Sequence, residues 1–323
     1  MPLISVIIID HRKANPYLAE NFSALAGQSF KDFEVLLFTD CENDIEFKNL
    51  TKKVYGHYVG PAEKRDDAAK AAKGEILAFL DDDAFPDKNW LASIVSHFDD
   101  PQIAGGGGPG VTPPGVSWQE ELSGWVSASP FGSGSYLYRF LPGKKQFVDD
   151  YPSMNLAIRK TDFEKVKGFD SHYWPGEDTK LCLDLVHKLG KKIIYDPAVL
   201  VYHHRRPLWR PHLRQNGNYG LHRGFFARIL PKTSLKPLYL APSLLLIYLF
   251  FSPILILDSR FYILYSLPLL VYLLLLMTNA LWIYKKSHSI IQATLSIVAV
   301  PLTHLWYGAR FLQGYFFTKK LVR

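Results

Sequence analysis

The chain has 323 residues, 48% of them hydrophobic, with a formal net charge of +7 and two cysteines; that is length for one large domain or two smaller ones. Two cysteines, Cys41 and Cys182, exclude a disulfide framework and a cysteine-rich zinc site. Residues 1–200 hold 22 Lys+Arg against 29 Asp+Glu, residues 201–237 hold eight basic residues and no acid, and residues 238–323 hold seven basic residues and only Asp258. A nucleic-acid binder would carry basic charge on its folded body, so that class is excluded, and basic charge beside apolar segments fits a membrane surface.

The opening "MPLISVIIID" has no basic n-region and reads as a first strand, not a signal peptide. "NPYLAENFSALAGQ" spaces Leu18, Phe22 and Leu25 as a helix does. "FEVLLFTD" is a second buried strand, "EKRDDAAKAAKG" an Ala-rich helix closed by Gly74, and "EILAFLDDD" a third strand. This alternation predicts an α/β fold with right-handed crossovers and a mostly parallel sheet flanked by helices. Ligands of such sheets bind beyond the carboxyl ends of the strands. Asp10, Asp40 and Asp81–Asp83 all fall at those ends.

A helix around "WLASIVSHF" leads into "GGGGPGVTPPG", residues 105–115, expected as a loop that is either a mobile substrate loop or a connector. "PGEDTKLCLDLVHKLG" predicts a helix with Leu181, Leu185 and Leu189 on one stripe and Gly190 at its end. "KIIYDPAVLVYHH" gives two short strands.

Residues 205–237 are basic and aromatic, a composition suited to the lipid interface. Residues 238–257 and 261–284 are uncharged and long enough to span a bilayer. Asp258-Ser259-Arg260 leaves a tight turn between them, and Lys232, Lys236, Lys285 and Lys286 predict that both ends of this hairpin are cytoplasmic. A third apolar stretch, about 289–312, is interrupted by Gln292, Pro301, His304 and Arg310; it either spans or lies re-entrant or interfacial. The expected domains are 1–204, 205–237 and 238–323.

Three adjacent aspartates exceed what a capping turn needs. Alternate residues of an extended segment point the same way, so Asp81 and Asp83 can converge on one ion. Carboxylate oxygens select Mg²⁺ or Mn²⁺, ions that share their shell with substrate phosphates.

"SVIIIDHRKANPYLAENFSALAGQSFKDFEVLLFTD", "GPAEKRDDAAKAAKGEILAFLDDD", "SMNLAIRKTDFEKVKGFD" and "GEDTKLCLDL", in that order over roughly residues 3–206, resemble the family 2 inverting glycosyltransferases of the GT-A fold. The basic stretch and apolar tail are similar to membrane-bound members that build surface polysaccharides or glycolipids. The resemblance implies a nucleoside-diphosphate sugar as donor and a lipid-linked or membrane-proximal glycan as acceptor. It implies that Asp40 bonds the nucleotide base, that Arg65 contacts the nucleotide, and that Asp81 and Asp83 are the DxD pair, Asp83 foremost as metal ligand. Asp82 is grouped with the donor-binding residues, without a role of its own. It further implies that His203 completes the metal or diphosphate site, that Asp178 is the base that takes the acceptor's proton, and that Asn155 and Glu177 belong to the acceptor side.

Against these stand plainer readings. Glu177 and Asp178 also suit a helix's first turn, and alternation lets only one of His203 and His204 face the site. The chain departs from the family pattern at Asp10-His11-Arg12, at Asp66 and at Thr39. Other readings are a processive polysaccharide synthase, a polyprenyl-phosphate glycosyltransferase and a non-catalytic membrane scaffold.

Overall fold

The computed structural model describes residues 1–256 and 262–321; the turn expected at Asp258–Arg260 lies outside them. In chain order the first elements are β1 (Ile4–Asp10), α1 (Leu18–Ala26), β2 (Phe33–Thr39), β3 (Leu50–Val54), α2 (Pro61–Ala71), β4 (Ile76–Asp81), β5 (Ala84–Pro86) and α3 (Trp90–Val95). Then come β6 (Ile103–Gly107), β7 (Gly110–Val111), α4 (Trp118–Ser127), α5 (Pro130–Ser133), β8 (Gln146–Val148), β9 (Asn155–Arg159), α6 (Lys160–Lys165) and α7 (Glu177–Leu183). Last are β10 (Lys192–Tyr195), β11 (Val201–His203), α8 (Arg210–Ile229), α9 (Pro231–Ser234), α10 (Pro237–Ile256), α11 (Tyr262–Ser287) and α12 (Ile290–Phe316).

One compact unit is built mainly of Met1–Pro113 and Tyr138–His204, the other of Pro114–Leu137 and Arg205–Lys320. The first holds an eight-stranded sheet of order β3-β2-β1-β4-β9-β6-β10-β8 and a small sheet β5-β11-β7. Strands β3, β2, β1 and β4 run parallel, and β9 lies antiparallel between β4 and β6. Both sheet faces are covered, as parallel strands require. Val6, Ile8, Val35 and Leu37 pack on one face, and Ile7, Leu36, Phe38, Leu77 and Phe79 on the other.

Three local expectations change. The strand at Ile76 is the fourth, because Leu50–Val54 forms β3 at the sheet edge with Thr51, Lys52 and Lys53 exposed. Exposed lysines suit an edge that must not recruit another strand. Helix α2 ends at Ala71; Gly74 instead lies against β1, where a Cβ would stand 2.6 Å from the Ser5 nitrogen. The glycine run is not a loop. Gly105, Gly106 and Gly107 form buried β6 inside the sheet, and a Cβ on Gly107 would stand 2.5 Å from the Asn155 carbonyl oxygen and 2.7 Å from the Tyr151 ring. Close approach of the β9 backbone, not turn chemistry, selects Gly105 and Gly107, whereas at Gly106 the nearest atom is on the Ile194 side chain at 3.2 Å.

In the second unit the basic stretch folds largely as α8, a 20-residue helix. It packs along α12 through small residues: a Cβ would stand 2.4 Å from the Tyr307 oxygen at Gly220, and 2.0 Å from the Phe311 oxygen at Gly224. From the other side, a Cβ on Gly314 of α12 would meet the Leu221 oxygen at 2.0 Å. Such small-residue seams let backbones touch. Arg228 donates to the carbonyl oxygens of Tyr315 and Thr318 at the end of α12. Among the described residues two helical segments, Ser266–Ser287 and Ile290–Phe316, are long and apolar enough to cross a membrane, while the apolar helix Pro237–Ser252 is shorter.

Candidate active site

Parallel pairing in register aligns the strand tips, setting Asp10 opposite Thr39 and Ile9 opposite Asp81. Asp40 follows directly. Its Oδ2 lies 2.8 Å from the buried Lys64 Nζ, and its Oδ1 accepts the Val59 N–H at 3.1 Å. Lys64 also donates to the Asp10 carbonyl at 2.6 Å, so the first two strand tips share one buried cation.

The small sheet delivers the next group. Antiparallel pairing sets His203 opposite Ala84, and the imidazole Nε2 lies 3.1 Å from Asp83 Oδ1. Ligand atoms of Asp81, Asp83 and His203 all lie within 4.8 Å of one another. Two carboxylates and an imidazole form a donor set that suits a divalent cation such as Mg²⁺ or Mn²⁺. His204 turns elsewhere, its Nε2 2.9 Å from Glu20 and its ring 4.4 Å from that of Tyr17.

Asp82 sits apart from that set. The Asn15 amide donates to Asp82 at 2.6 Å and to Asp10 at 3.0 Å, bridging the two carboxylates. Burial, reinforced by the charge on Asp83, pushes the Asp82 carboxyl up to about 8. Asp10, His11 and Asp82 make a second group with ligand atoms within 4.8 Å, of which that amide already ties Asp10 to Asp82.

Arg65, on α2, joins the tip of β4 to the start of α7. Its guanidinium lies 3.2 Å from Asp81 and 2.8 Å from Glu177. Glu177 is buried, and desolvation pushes its carboxyl up to about 7 although Arg65 pulls the other way. The next residue, Asp178, is half-buried; its carboxylate accepts the Ser153 N–H at 3.4 Å and the Thr179 N–H at 2.7 Å. The fold therefore gathers Asp81, Arg65 and Glu177 in one contiguous chain of ion pairs, with Asp178 beside it.

Asn155 is placed differently from its expected neighbours. It is fully buried, accepts the Trp90 indole N–H at 2.8 Å, and donates to the carbonyls of Gly108 and Val199, both at 2.7 Å. Both amide hydrogens are spent inside the fold, leaving none to offer a sugar hydroxyl.

Sequence reasoning passed over three residues of this site: Lys64, Asn15 and Arg12. Lys64 stands beside Arg65 in "EKRDD", and a lysine two residues into an otherwise alanine-faced helix was its available signal. Arg12 and Asn15 reach the aspartate triplet across sequence separations of 71 and 67 residues, which no local pattern reports.

The profile of Glycosyl transferase family group 2 matches residues 76–285, well over half of the chain. The chain belongs to this family. A Mycobacterium tuberculosis protein named pre-mycofactocin glycosyltransferase is 32% identical over 166 residues, covering 51% of this family 2 chain and 34% of that protein. The glucosyl-dolichyl phosphate glucuronosyltransferase of Haloferax volcanii is 22% identical over 207 residues, 57% of this chain and 63% of that one. The chain thus spans between about a third and somewhat under two thirds of these relatives' lengths. Among solved structures, the mannosyltransferase PcManGT from Pyrobaculum calidifontis, in complex with GDP-Man and Mn²⁺, superposes with a TM-score of 0.58 at 15% identity, covering 98% of this chain and 87% of that one. GalNAc-T7 with UDP, GalNAc and Mn²⁺ gives a TM-score of 0.50 at 17% identity, over 73% and 51% of the respective chains. At such identities the likeness concerns the fold, and it is the GT-A fold that the ordered sequence blocks predict.

Proposed function

We propose that this chain is an inverting glycosyltransferase that moves a sugar from a nucleoside diphosphate to a lipid-linked or membrane-proximal acceptor, using Mg²⁺ or Mn²⁺. The observation that carries this reading is the convergence of Asp81, Asp83 and His203 within 4.8 Å at the ligand-binding edge of a GT-A sheet. Mn²⁺ accompanies the nucleotide ligands of both structural neighbours, which supports the same pairing here. The name of the Haloferax relative supports a lipid-linked acceptor, the apolar helices support a membrane location, and the flanking Lys232, Lys236, Lys285 and Lys286 support a catalytic domain on the cytoplasmic side.

Asp81, Asp83 and His203 would hold the cation, which when bound neutralises charge growing on the departing diphosphate. Asp40 and Arg65 bind the nucleotide, with Asp82 beside them. Asp178 collects the proton of the acceptor hydroxyl as its oxygen attacks the anomeric carbon opposite the leaving group. Glu177, paired to Arg65, orients the start of α7 so that the Asp178 carboxylate meets the acceptor. Residues 1–204 supply this catalytic part, residues 205–237 the basic segment near lipid phosphates, and residues 238–323 the membrane region.

The test begins with a thermal-shift panel of nucleotide sugars in Mn²⁺, since a ligand of the native state raises apparent stability. With the donor in hand, Asp178→Asn should lower transfer on the order of 10²- to 10⁴-fold while leaving Mn²⁺-dependent donor binding intact. Full transfer activity in that variant would overturn the assigned base.

A further inference from the structure

We propose that Arg12 is a built-in counter-ion of the metal site, which makes divalent-cation binding depend on the nucleoside diphosphate. This rests on the reading of Asp81, Asp83 and His203 as metal ligands. Arg12 follows β1, where the chain departs from its family's pattern, and reaches the far aspartates. Its Nη2 lies 3.1 Å from Asp83 Oδ2 and its Nη1 lies 3.6 Å from Asp82 Oδ2.

The guanidinium is held, not loose. It donates to Asn15 Oδ1 at 3.2 Å and lies over the Tyr17 ring at 5.4 Å, and that ring in turn lies tilted at 30° against the His204 ring. Asp83 is 3% exposed. Its Oδ1 faces His203 and its Oδ2 faces Arg12. A cation entering the triangle therefore shares its most buried carboxylate with a fixed positive charge a few ångströms away. Like charges at that separation oppose one another strongly in a partly desolvated site.

A diphosphate reverses the sign of that relation. Arginine's planar fork matches phosphate oxygens, so Arg12 can transfer its pairing from Asp82 and Asp83 to the donor as the cation takes Asp83. Metal and nucleotide then favour each other's binding, and by linkage the effect is equal in both directions. Arg12 acts here as a positioning residue. It penalises metal alone and rewards metal with diphosphate.

The test uses the full chain in detergent, with free Mn²⁺ followed by electron paramagnetic resonance, alone and with UDP or GDP present. In the unaltered chain, nucleotide should tighten Mn²⁺ binding about tenfold or more. Arg12→Ala should bind Mn²⁺ alone on the order of tenfold more tightly than the unaltered chain, and the tightening by added nucleotide should be several-fold smaller than in the unaltered chain, the remainder coming from phosphates that share the ion's shell. Arg12→Gln, which keeps length and a donor for Asn15, should behave as Arg12→Ala does and serves if the shorter variant fails to fold. Arg12→Lys, with charge but no fork, should keep weak Mn²⁺ binding and lose much of the nucleotide effect. Equal Mn²⁺ affinity in the unaltered and Arg12→Ala or Arg12→Gln chains, or undiminished synergy in them, would overturn the proposal while leaving the metal site standing. Absence of Mn²⁺ binding in every chain would overturn the metal reading and this proposal together.

Discussion

Replacing Arg65 by methionine removes one side of a buried ion pair and leaves the other in place. The Arg65–Glu177 contact is 2.8 Å between side chains 9% and 7% exposed; at an effective dielectric of about 20 its attraction is about 6 kcal/mol. Much of that offsets the cost of burying both charges, so the measurable loss on removing one partner is about 3–5 kcal/mol. The second contact, to Asp81, is longer and its partner is 30% exposed, so it adds little. The loss should depend on pH. Glu177 already titrates near 7, above its ordinary 4.5, because it is desolvated, and without Arg65 it rises further. Between pH 4.5 and that value the folded chain retains a proton that the unfolded chain has released, so stability falls as pH rises. Arg65→Met should therefore cost about 3 kcal/mol at pH 8 and about 1.4 kcal/mol less at pH 5.5, because the variant keeps the Glu177 proton over the pH unit between about 7 and 8 where the unaltered chain has released it. Chemical denaturation in detergent at both pH values, repeated on the Arg65→Met/Glu177→Gln double variant, measures this. An equal loss at both pH values, or no recovery at pH 8 in the double variant, would refute the reasoning.

Gly107→Ala should destabilise the chain by about 1–3 kcal/mol through overpacking, whereas Gly27→Ala, whose nearest neighbour would stand at 3.4 Å, should stay within about 0.5 kcal/mol; denaturation midpoints compare the two. Asn155→Ala strands the Trp90 N–H and the Val199 carbonyl, while the Gly108 carbonyl keeps the Tyr151 hydroxyl, so a loss of about 2–3 kcal/mol is expected, read by the same method. An unchanged midpoint with weakened acceptor binding would return Asn155 to the acceptor side. Burial pushes Asp66 up to about 6 although it accepts the Phe169 N–H at 2.8 Å. Its ionisation is opposed in the folded chain, so Asp66→Asn should stabilise more at pH 8 than at pH 4 in a thermal melt.

The strands at Ile4, Phe33 and Ile76 are legible because both of their faces are apolar, and their tips carry Asp10, Asp40 and Asp81 of the candidate site. Strand β3 is not, since Thr51, Lys52 and Lys53 are exposed and a solvated edge leaves no hydrophobic period. The glycines of β6 carry no strand propensity; what requires Gly105 and Gly107 is the backbone of β9 and the ring of Tyr151, all distant in sequence. "SMNLAIR" drew notice to Asn155, yet a buried amide and a sugar-binding amide look alike in sequence. The seam on α8 did have a signal. Gly217, Gly220 and Gly224 recur at helical spacing, which a search for hydrophobic stripes overlooks.

If α12 lies in lipid as proposed, that seam bears on how deep it can sit. The two helices run alongside each other from the contact between His212 and Thr303 to that between Arg228 and Tyr315. Over this length one side of α12 is covered by a helix bearing exposed Arg214 and Arg228. Only the stretch from Ile290 to Leu302 is free of that companion, and it measures about 20 Å at 1.5 Å per residue, short of the roughly 30 Å of a hydrocarbon core. On that reading a helix that composition alone would let cross keeps beside it, over about half its length, arginines of α8 that belong with lipid head groups and water.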